Sequence, residues 1–101
     1  MPAYMMISYD VSDPERFKDY NPGSLKGIVA TLNKHGGEIV AAGPTDVIEG
    51  AAASVCVCIT FPSADAAKAW ADDDEYAPLK AIRYESTTNT TEYIIPSTGR
   101  S

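Results

Sequence analysis

The most constraining feature of the chain is the alternating run Val55–Phe61. In a β-strand, successive side chains point to opposite faces, so the run places valine, isoleucine and phenylalanine side chains on one face. The other face carries Cys56, Cys58 and Thr60, a set too apolar to be left facing water. We therefore expect a sheet with helices on one side and a partner subunit, enclosing a cavity, on the other.

The length of 101 residues allows one domain with a real core, and it is short enough for oligomerisation to add useful burial. We expect a single domain over residues 1–96 and a loose, flexible tail over residues 97–101. No segment approaches the roughly 20 apolar residues of a membrane-spanning helix, so no membrane contact is predicted. The formal net charge of −6 opposes the phosphate backbone, so no nucleic acid partner is predicted either.

A few residues predict the compartment of the protein and whether it holds a metal. The segment Met1–Met6 contains neither a basic leader nor a small-residue cleavage site, which favours the cytoplasm. Cys56 and Cys58 are two apart on one strand face, where a disulfide would be strained, so we interpret them as small apolar side chains in a reducing compartment. His35 is the sole histidine, and neither a metal nor a cofactor is predicted.

The first half of the chain predicts a strand followed by an interrupted helix. Residues 4–11 alternate as a strand does. Asp13 can then cap a helix, with Pro14 at its first position, where the missing N–H has no role. The sequence Asn21-Pro22-Gly23 is expected to break or kink this helix, and residues 34–37 end it with a left-handed glycine cap.

The second half predicts a hairpin and a second interrupted helix. Residues 38–42 form the first hairpin strand, with residues 46–49 as its continuation, and residues 55–61 form the second strand. Ser63 caps the next helix. The acidic run of residues 72–75 marks a break and a new helix start, where carboxylates complement the positive helix end.

Residues 87–95 complete the pattern as the last strand, which gives the order βαββαβ. Right-handed crossovers convert this order into an α+β, ferredoxin-like fold, a four-stranded antiparallel sheet with the helices on one face. If two chains paired through the sheet faces that carry no helices, both faces would be buried and a dimeric α/β barrel would form. A pocket is expected between sheet and helices or in the barrel interior.

Short motifs along the chain carry a family resemblance: Asp13-Pro14-Glu15 with Phe17 and Tyr20, Gly36-Gly37, Val47-Ile48-Glu49-Gly50, Phe61-Pro62-Ser63, Ala69-Trp70, Glu75-Tyr76 and Arg83. With these motifs the chain resembles the domain-of-unknown-function 1330 family of the dimeric α/β-barrel superfamily. The resemblance spans most of the chain and implies the same fold and a homodimer. The wider superfamily includes cofactor-free monooxygenases, muconolactone isomerases, haem-degrading enzymes and chlorite dismutases, and fold does not select among these reactions.

Arg83 and Tyr76 are the strongest candidate pair for chemistry. The rigid guanidinium fork of Arg83 could hold a carboxylate or an enolate oxygen. Tyr76 lies two helical turns away on the same face, so its hydroxyl could share that anion. The alternative is that Arg83 only pairs with the acidic residues 72–75 at the start of the same helix.

Four further residues are candidates with structural alternatives. His35 is the third catalytic candidate because its ordinary pKa is near neutrality, although its place at a helix end favours capping or exposure. Tyr20, Trp70 and Asn89 are the candidate substrate-binding residues. Trp70 could form an aromatic wall for a planar ligand or simply fill the core, and Asn89 could simply line a strand.

Two functions are compatible with these residues. The first is a cofactor-independent enzyme of the monooxygenase or isomerase type, with a small aromatic or enolisable molecule held by Trp70 and Tyr76 and polarised by Arg83. The alternative is a non-catalytic module that binds a small molecule or another protein. A haem-binding version has weaker support, because His35 lies at a helix end.

Overall fold

The computed structural model describes residues 1–98. Within them, strands and helices follow in the order β1 (Ala3–Val11), α1 (Pro14–Tyr20), α2 (Leu25–Lys34), β2 (Glu38–Pro44), β3 (Val55–Phe61), α3 (Ala64–Ala71), α4 (Ala77–Ser86) and β4 (Thr87–Pro96). Most of the tail predicted over residues 97–101 lies outside the described residues. Ser97 is still attached, since its N–H donates to Pro2 O at 2.9 Å.

The strands form one antiparallel sheet in the order β2-β3-β1-β4. β1 is central, and its Met6 lies opposite Cys58 of β3 and Tyr93 of β4. β2 and β3 pair as the predicted hairpin. The ferredoxin-like α+β fold expected from the sequence is thus confirmed.

The predicted continuation of β2 over residues 46–49 is wrong. These residues form an irregular loop outside the sheet, and Ile48 is 94% exposed. β-branched Val47 and Ile48 favour a strand locally, but β2 already ends at Pro44, which has no N–H to donate to a neighbouring strand. A strand there would also need a pairing partner, and none of the described strands extends beside this loop.

The predicted helix ends and breaks are confirmed, except that the acidic residues 72–75 mark only the break: α4 begins at Ala77 and has no acidic residue in its first turn, because the Asp73 carboxylate pairs with Lys34 and His35 instead. Asp13 accepts a hydrogen bond from the Arg16 N–H at 3.2 Å, and Ser63 accepts one from the Ala66 N–H at 3.0 Å. At the end of α2, Gly36 adopts a left-handed φ of 73°. That turn lets the Gly37 N–H donate to Leu32 O at 2.8 Å, which satisfies a terminal carbonyl.

The helices cover one face of the sheet and form the core with it. Residues from the sheet and from the helices contribute in similar number: Met5, Ile7, Tyr9, Ile59 and Phe61 from the strands, and Tyr20, Ile28, Leu32, Ala67, Trp70 and Tyr76 from the helical half. The opposite sheet face, which we call the bare face, includes Met6, Cys58 and Tyr93 and stays partly exposed. In the part of the chain that the structure describes, no helix has the length and apolar character needed to cross a membrane.

Candidate functional site

A cavity of about 310 Å³ lies between the sheet and the helices. Most of its wall is apolar: Ile7, Leu25, Ile28, Ile39, Ala42, Val57 and Ile59. The remaining lining residues are Tyr9, Tyr20, Asn21, Trp70 and Arg83. An apolar cavity with a few converging polar groups is the usual form of a small-molecule site, and this volume is at the lower end of the usual range.

Arg83 is the most unusual group in this wall, because it is charged and only 1% exposed. Its Nη2 donates to Glu92 Oε2 at 3.0 Å. Its Nε and Nη1 have no hydrogen-bond partner within residues 1–98. Leaving a buried donor unsatisfied costs roughly 1–3 kcal/mol, and an arginine side chain does not lose its proton to avoid that cost.

Glu92 sets the charge around Arg83. It lies opposite Ile7 in the β1–β4 pairing, so it shares the helix-facing side of the sheet. Its other carboxylate oxygen lies 4.0 Å from Lys80 Nζ. Two cations and one carboxylate therefore leave this cluster with one net positive charge. The alternative that Arg83 pairs with residues 72–75 is not observed, because α4 directs the side chain towards β4 instead.

Two tyrosines meet beside Arg83. The hydroxyls of Tyr20 and Tyr76 are 2.8 Å apart in a buried hydrogen bond. Burial raises the pKa of both phenols, while the charge of Arg83 acts on them in the opposite direction. Both side chains therefore stay neutral at physiological pH. One hydroxyl donates to the other, so a single O–H of the pair remains to donate to a negatively charged oxygen.

Tyr9 is a third hydroxyl group of the cavity, and the sequence reasoning missed it as a site residue. It is 3% exposed and lines the cavity. Burial raises the pKa of Tyr9, against the opposing charge of Arg83. A signal was present, since Tyr9 shares the buried strand face with Met5 and Ile7 and is the polar-tipped member of that set.

Trp70 combines the two roles proposed for it. It is 1% exposed, and its ring stacks on Tyr76 with centroids 4.2 Å apart and planes inclined at 27°. Its indole N–H donates to Thr31 Oγ1 at 3.1 Å, which fixes the ring in place. Trp70 thus fills the core and at the same time forms part of the cavity wall.

His35 lies away from the cavity, at the C-terminal cap of α2. Its Nε2 is 2.7 Å from Asp73 Oδ2, and Lys34 Nζ lies 2.8 Å from the same oxygen. These hydrogen bonds, that of Lys34 first, lower the pKa of the Asp73 carboxyl. The arrangement ties the end of α2 to the break between α3 and α4, which is a structural contact.

Asn89 is also separate from the cavity. It adopts a left-handed φ of 55° near the start of β4, and its amide donates to Asp10 Oδ2 at 3.2 Å. Together with Cys56 and Tyr93 it lines a depression on the bare face. Of the candidate residues, the structure therefore brings together Tyr20, Trp70, Tyr76 and Arg83.

No metal centre is formed by the described residues, which contain no group of three or more histidine, cysteine or acidic side chains placed to hold an ion.

Comparison with solved structures shows the same fold in several proteins. A dimeric ferredoxin-like protein of unknown function from Jannaschia sp. CCS1 is 12% identical, with a TM-score of 0.76 over 96% of this chain and 100% of that chain. A protein of unknown function from Rhodopseudomonas palustris is 13% identical, with a TM-score of 0.75 over 98% of this chain and 84% of that chain. SnoaB, a cofactor-independent oxygenase from Streptomyces nogalater, is 11% identical, with a TM-score of 0.66 over 98% of this chain and 95% of that chain.

At such low identities, these similarities show the fold alone. A comparison with curated proteins finds no match. A family model, "Domain of unknown function (DUF1330)", matches residues 2–97, nearly the whole chain, and confirms the resemblance seen in the sequence motifs. The chain belongs to the DUF1330 family.

Proposed function

We propose that the protein is a cofactor-independent enzyme, of the oxygenase or isomerase type, that acts on a small aromatic or enolisable molecule in the cavity between sheet and helices. One observation carries the proposal: Arg83 is a buried, permanently charged residue of the cavity wall with two unsatisfied N–H donors. Donors fixed where negative charge develops contribute more to enzymatic rates than most other devices. The similarity in fold to a cofactor-independent oxygenase is consistent with the proposal.

The chemistry requires stabilisation of a negatively charged oxygen. The lining that the structure describes offers no histidine or carboxylate to take a C–H proton, so the substrate enters as an enolate or phenolate that has lost its proton to solvent, with the charge on oxygen. Addition of a proton from solvent to a different carbon completes an isomerisation, whereas reaction of the anion with O₂ begins an oxygenation. The cavity provides two kinds of donor for an oxyanion, the guanidinium of Arg83 and the phenol groups of Tyr9 and Tyr20.

The raised pKa values of the tyrosines define their role. Because the neutral phenol is favoured by burial, Tyr20 and Tyr76 act as hydrogen-bond donors and not as bases. The site therefore favours a substrate that enters as an anion or loses its proton easily. Tyr76 acts through Tyr20, to which it is hydrogen bonded, and through Trp70, on which it stacks.

A second candidate function is a binding module without turnover. It is favoured by a specific observation: the lining residues that the structure describes include neither a histidine nor a carboxylate. A site without a general base in its wall can still bind an anion tightly.

We also propose that the protein is a cytoplasmic homodimer paired through the bare face. The fold neighbour from Jannaschia sp. CCS1 is a dimeric protein. Tyr93 and Ile95 on the bare face are 52% and 45% exposed, and a second copy would remove this apolar surface from water.

Turnover of a panel of phenols and 1,3-dicarbonyl compounds tests the proposed enzyme, with O₂ consumption and product formation as readouts. R83Q should lower kcat/KM by about 10²–10³ on any compound that the wild type converts. The matched control is R16Q, because Arg16 is a half-exposed arginine whose partners are Asp19 and Glu85 on the helical surface. An unchanged rate in R83Q would overturn the assignment, and binding without product in the wild type would favour the binding module.

A further inference from the structure

We propose that the ligand of this cavity carries a single carboxylate, held by the unsatisfied Nη1 donor of Arg83, on a planar apolar body of about one ring. The inference rests on the proposed function in that it concerns the same cavity, and it specifies the class of substrate.

The first argument is the identity of the free donors. Nη2 of Arg83 is already used by Glu92, and the unsatisfied groups are Nε and Nη1. The Nε–H bond points to the Nη2 side of the guanidinium and is not parallel to the N–H bonds of Nη1, so a carboxylate accepts from Nη1 and not from both nitrogens. A guanidinium N–H forms a shorter and stronger hydrogen bond with a carboxylate than with a neutral carbonyl oxygen.

The second argument is the charge of the cluster. Arg83, Lys80 and Glu92 together carry one net positive charge, at a site where Arg83 is 1% exposed. One bound carboxylate makes the cluster neutral. A dianion would leave an excess negative charge, and a neutral ligand would leave the positive charge uncompensated.

The third argument concerns the body of the ligand. Beyond Arg83 and the tyrosines, the wall consists of aliphatic side chains such as Leu25, Ile28 and Val57, together with the ring of Trp70. At about 310 Å³, the cavity suits one ring with short substituents better than an extended molecule.

Binding of three small probes to the full-length protein tests the inference: benzoate as the monoanion, benzamide as its neutral counterpart and phthalate as the dianion. Calorimetry should show benzoate binding at least about tenfold more tightly than benzamide. R83Q should remove this preference, whereas R16Q should retain it. Equal affinities in the wild type, no benzoate binding at millimolar concentration, or an unchanged preference in R83Q would each overturn the inference.

E92Q provides a second test that does not depend on R83Q being well folded. Glutamine keeps an acceptor oxygen for Arg83 Nη2 and removes the negative charge, so the cluster gains one unit of positive charge. The affinity ratio of phthalate to benzoate should then rise by about tenfold. An unchanged ratio would mean that Glu92 does not set the charge of the ligand.

The binding and turnover experiments fail independently. If neutral 1,3-dicarbonyl compounds are converted but benzoate binds no better than benzamide, the carboxylate inference is wrong and the proposed enzyme stands. If benzoate binds through Arg83 and no compound is converted, the inference stands and the binding module replaces the enzyme.

Discussion

The hydrogen bond between the hydroxyls of Tyr20 and Tyr76, 2.8 Å long, joins residues that are 56 positions apart at the two helix breaks of the fold. Tyr20 is the last residue of α1, and Tyr76 immediately precedes α4. The breaks after Tyr20 and before Tyr76 therefore allow both side chains to turn inward beside Arg83. A continuous helix at either position would carry the chain past the cavity.

Removing either hydroxyl should show that the pair acts as a unit. Y20F and Y76F should each lower the free energy of unfolding by about 1 kcal/mol, because the remaining hydroxyl is left buried without its partner. Y20F/Y76F should cost less than the sum of the two, since no hydroxyl is then left unsatisfied. Urea unfolding of the four proteins checks this, and strictly additive losses would contradict the coupling.

The same pair predicts a loss of stability in alkali. Burial raises the folded-state pKa of Tyr20 and Tyr76 above the ordinary value of 10.0, so the folded protein binds their protons more tightly than the unfolded chain. This contribution is fully present below about pH 10 and is lost as the pH rises towards the folded-state values. The urea midpoint of the wild type should fall over this range more steeply than that of Y20F/Y76F. Parallel curves would contradict the prediction.

Local chemistry explains which features could be predicted from the sequence. Pro22, Gly36 and Ser63 act on the backbone within a few residues, so the helix breaks, ends and caps follow from them directly. Helical spacing likewise places Arg83 of α4 and Tyr76, the residue before this helix, on one side without knowledge of the rest of the fold.

Features that depend on long-range packing were beyond the sequence pattern. Glu92 meets Arg83 only through the register of β1 with β4 and the docking of α4 on the sheet. The sequence pattern, which reads strand faces but not helix docking, likewise did not mark Tyr9 as a cavity residue. Residues 46–49 have a strand-like composition, but whether they join a sheet depends on a neighbouring strand that is absent from the described fold.

Gly37 should be intolerant of any side chain. A Cβ atom there would lie 2.6 Å from Phe61 Cε1 and 3.0 Å from Leu32 Cδ2. Phe61 is 1% exposed, so its ring has little room to move. G37A should therefore lower the free energy of unfolding by about 1–3 kcal/mol.

G27A is the matched control for G37A. Gly27 is exposed within α2, and an added Cβ would meet one atom, Leu79 Cδ1 at 3.3 Å, at the end of a flexible side chain. Because alanine favours a helix over glycine, G27A should raise the free energy of unfolding by about 0.5–1 kcal/mol. Opposite shifts of the urea midpoint in the two variants are expected, and shifts of the same sign would contradict the packing described for Gly37.

Dimerisation through the bare face is tested at Met6, which lies between Cys58 and Tyr93 in the sheet. M6E would place a carboxylate in the apolar centre of the proposed interface, so sedimentation should show a monomer where the wild type is a dimer. V29E introduces the same charge at a position of α2 that is 39% exposed, and it should remain dimeric. A dimeric M6E protein would show that the subunits meet elsewhere.

We expect the Arg83–Glu92 pair to serve ligand binding while contributing little or nothing to the free energy of unfolding. Arg83 is desolvated and leaves two donors unsatisfied, and a buried ion pair of this kind is often less stable than apolar residues of similar volume. R83M/E92M should therefore have a free energy of unfolding equal to that of the wild type or higher by about 1–2 kcal/mol. The gain stays small because Glu92 is 23% exposed and because Lys80 loses a neighbouring carboxylate. The same variant should lose benzoate binding and any turnover. If R83M/E92M were instead strongly destabilised, Arg83 would be a structural residue, and the unsatisfied donors at the cavity wall would no longer argue for a ligand.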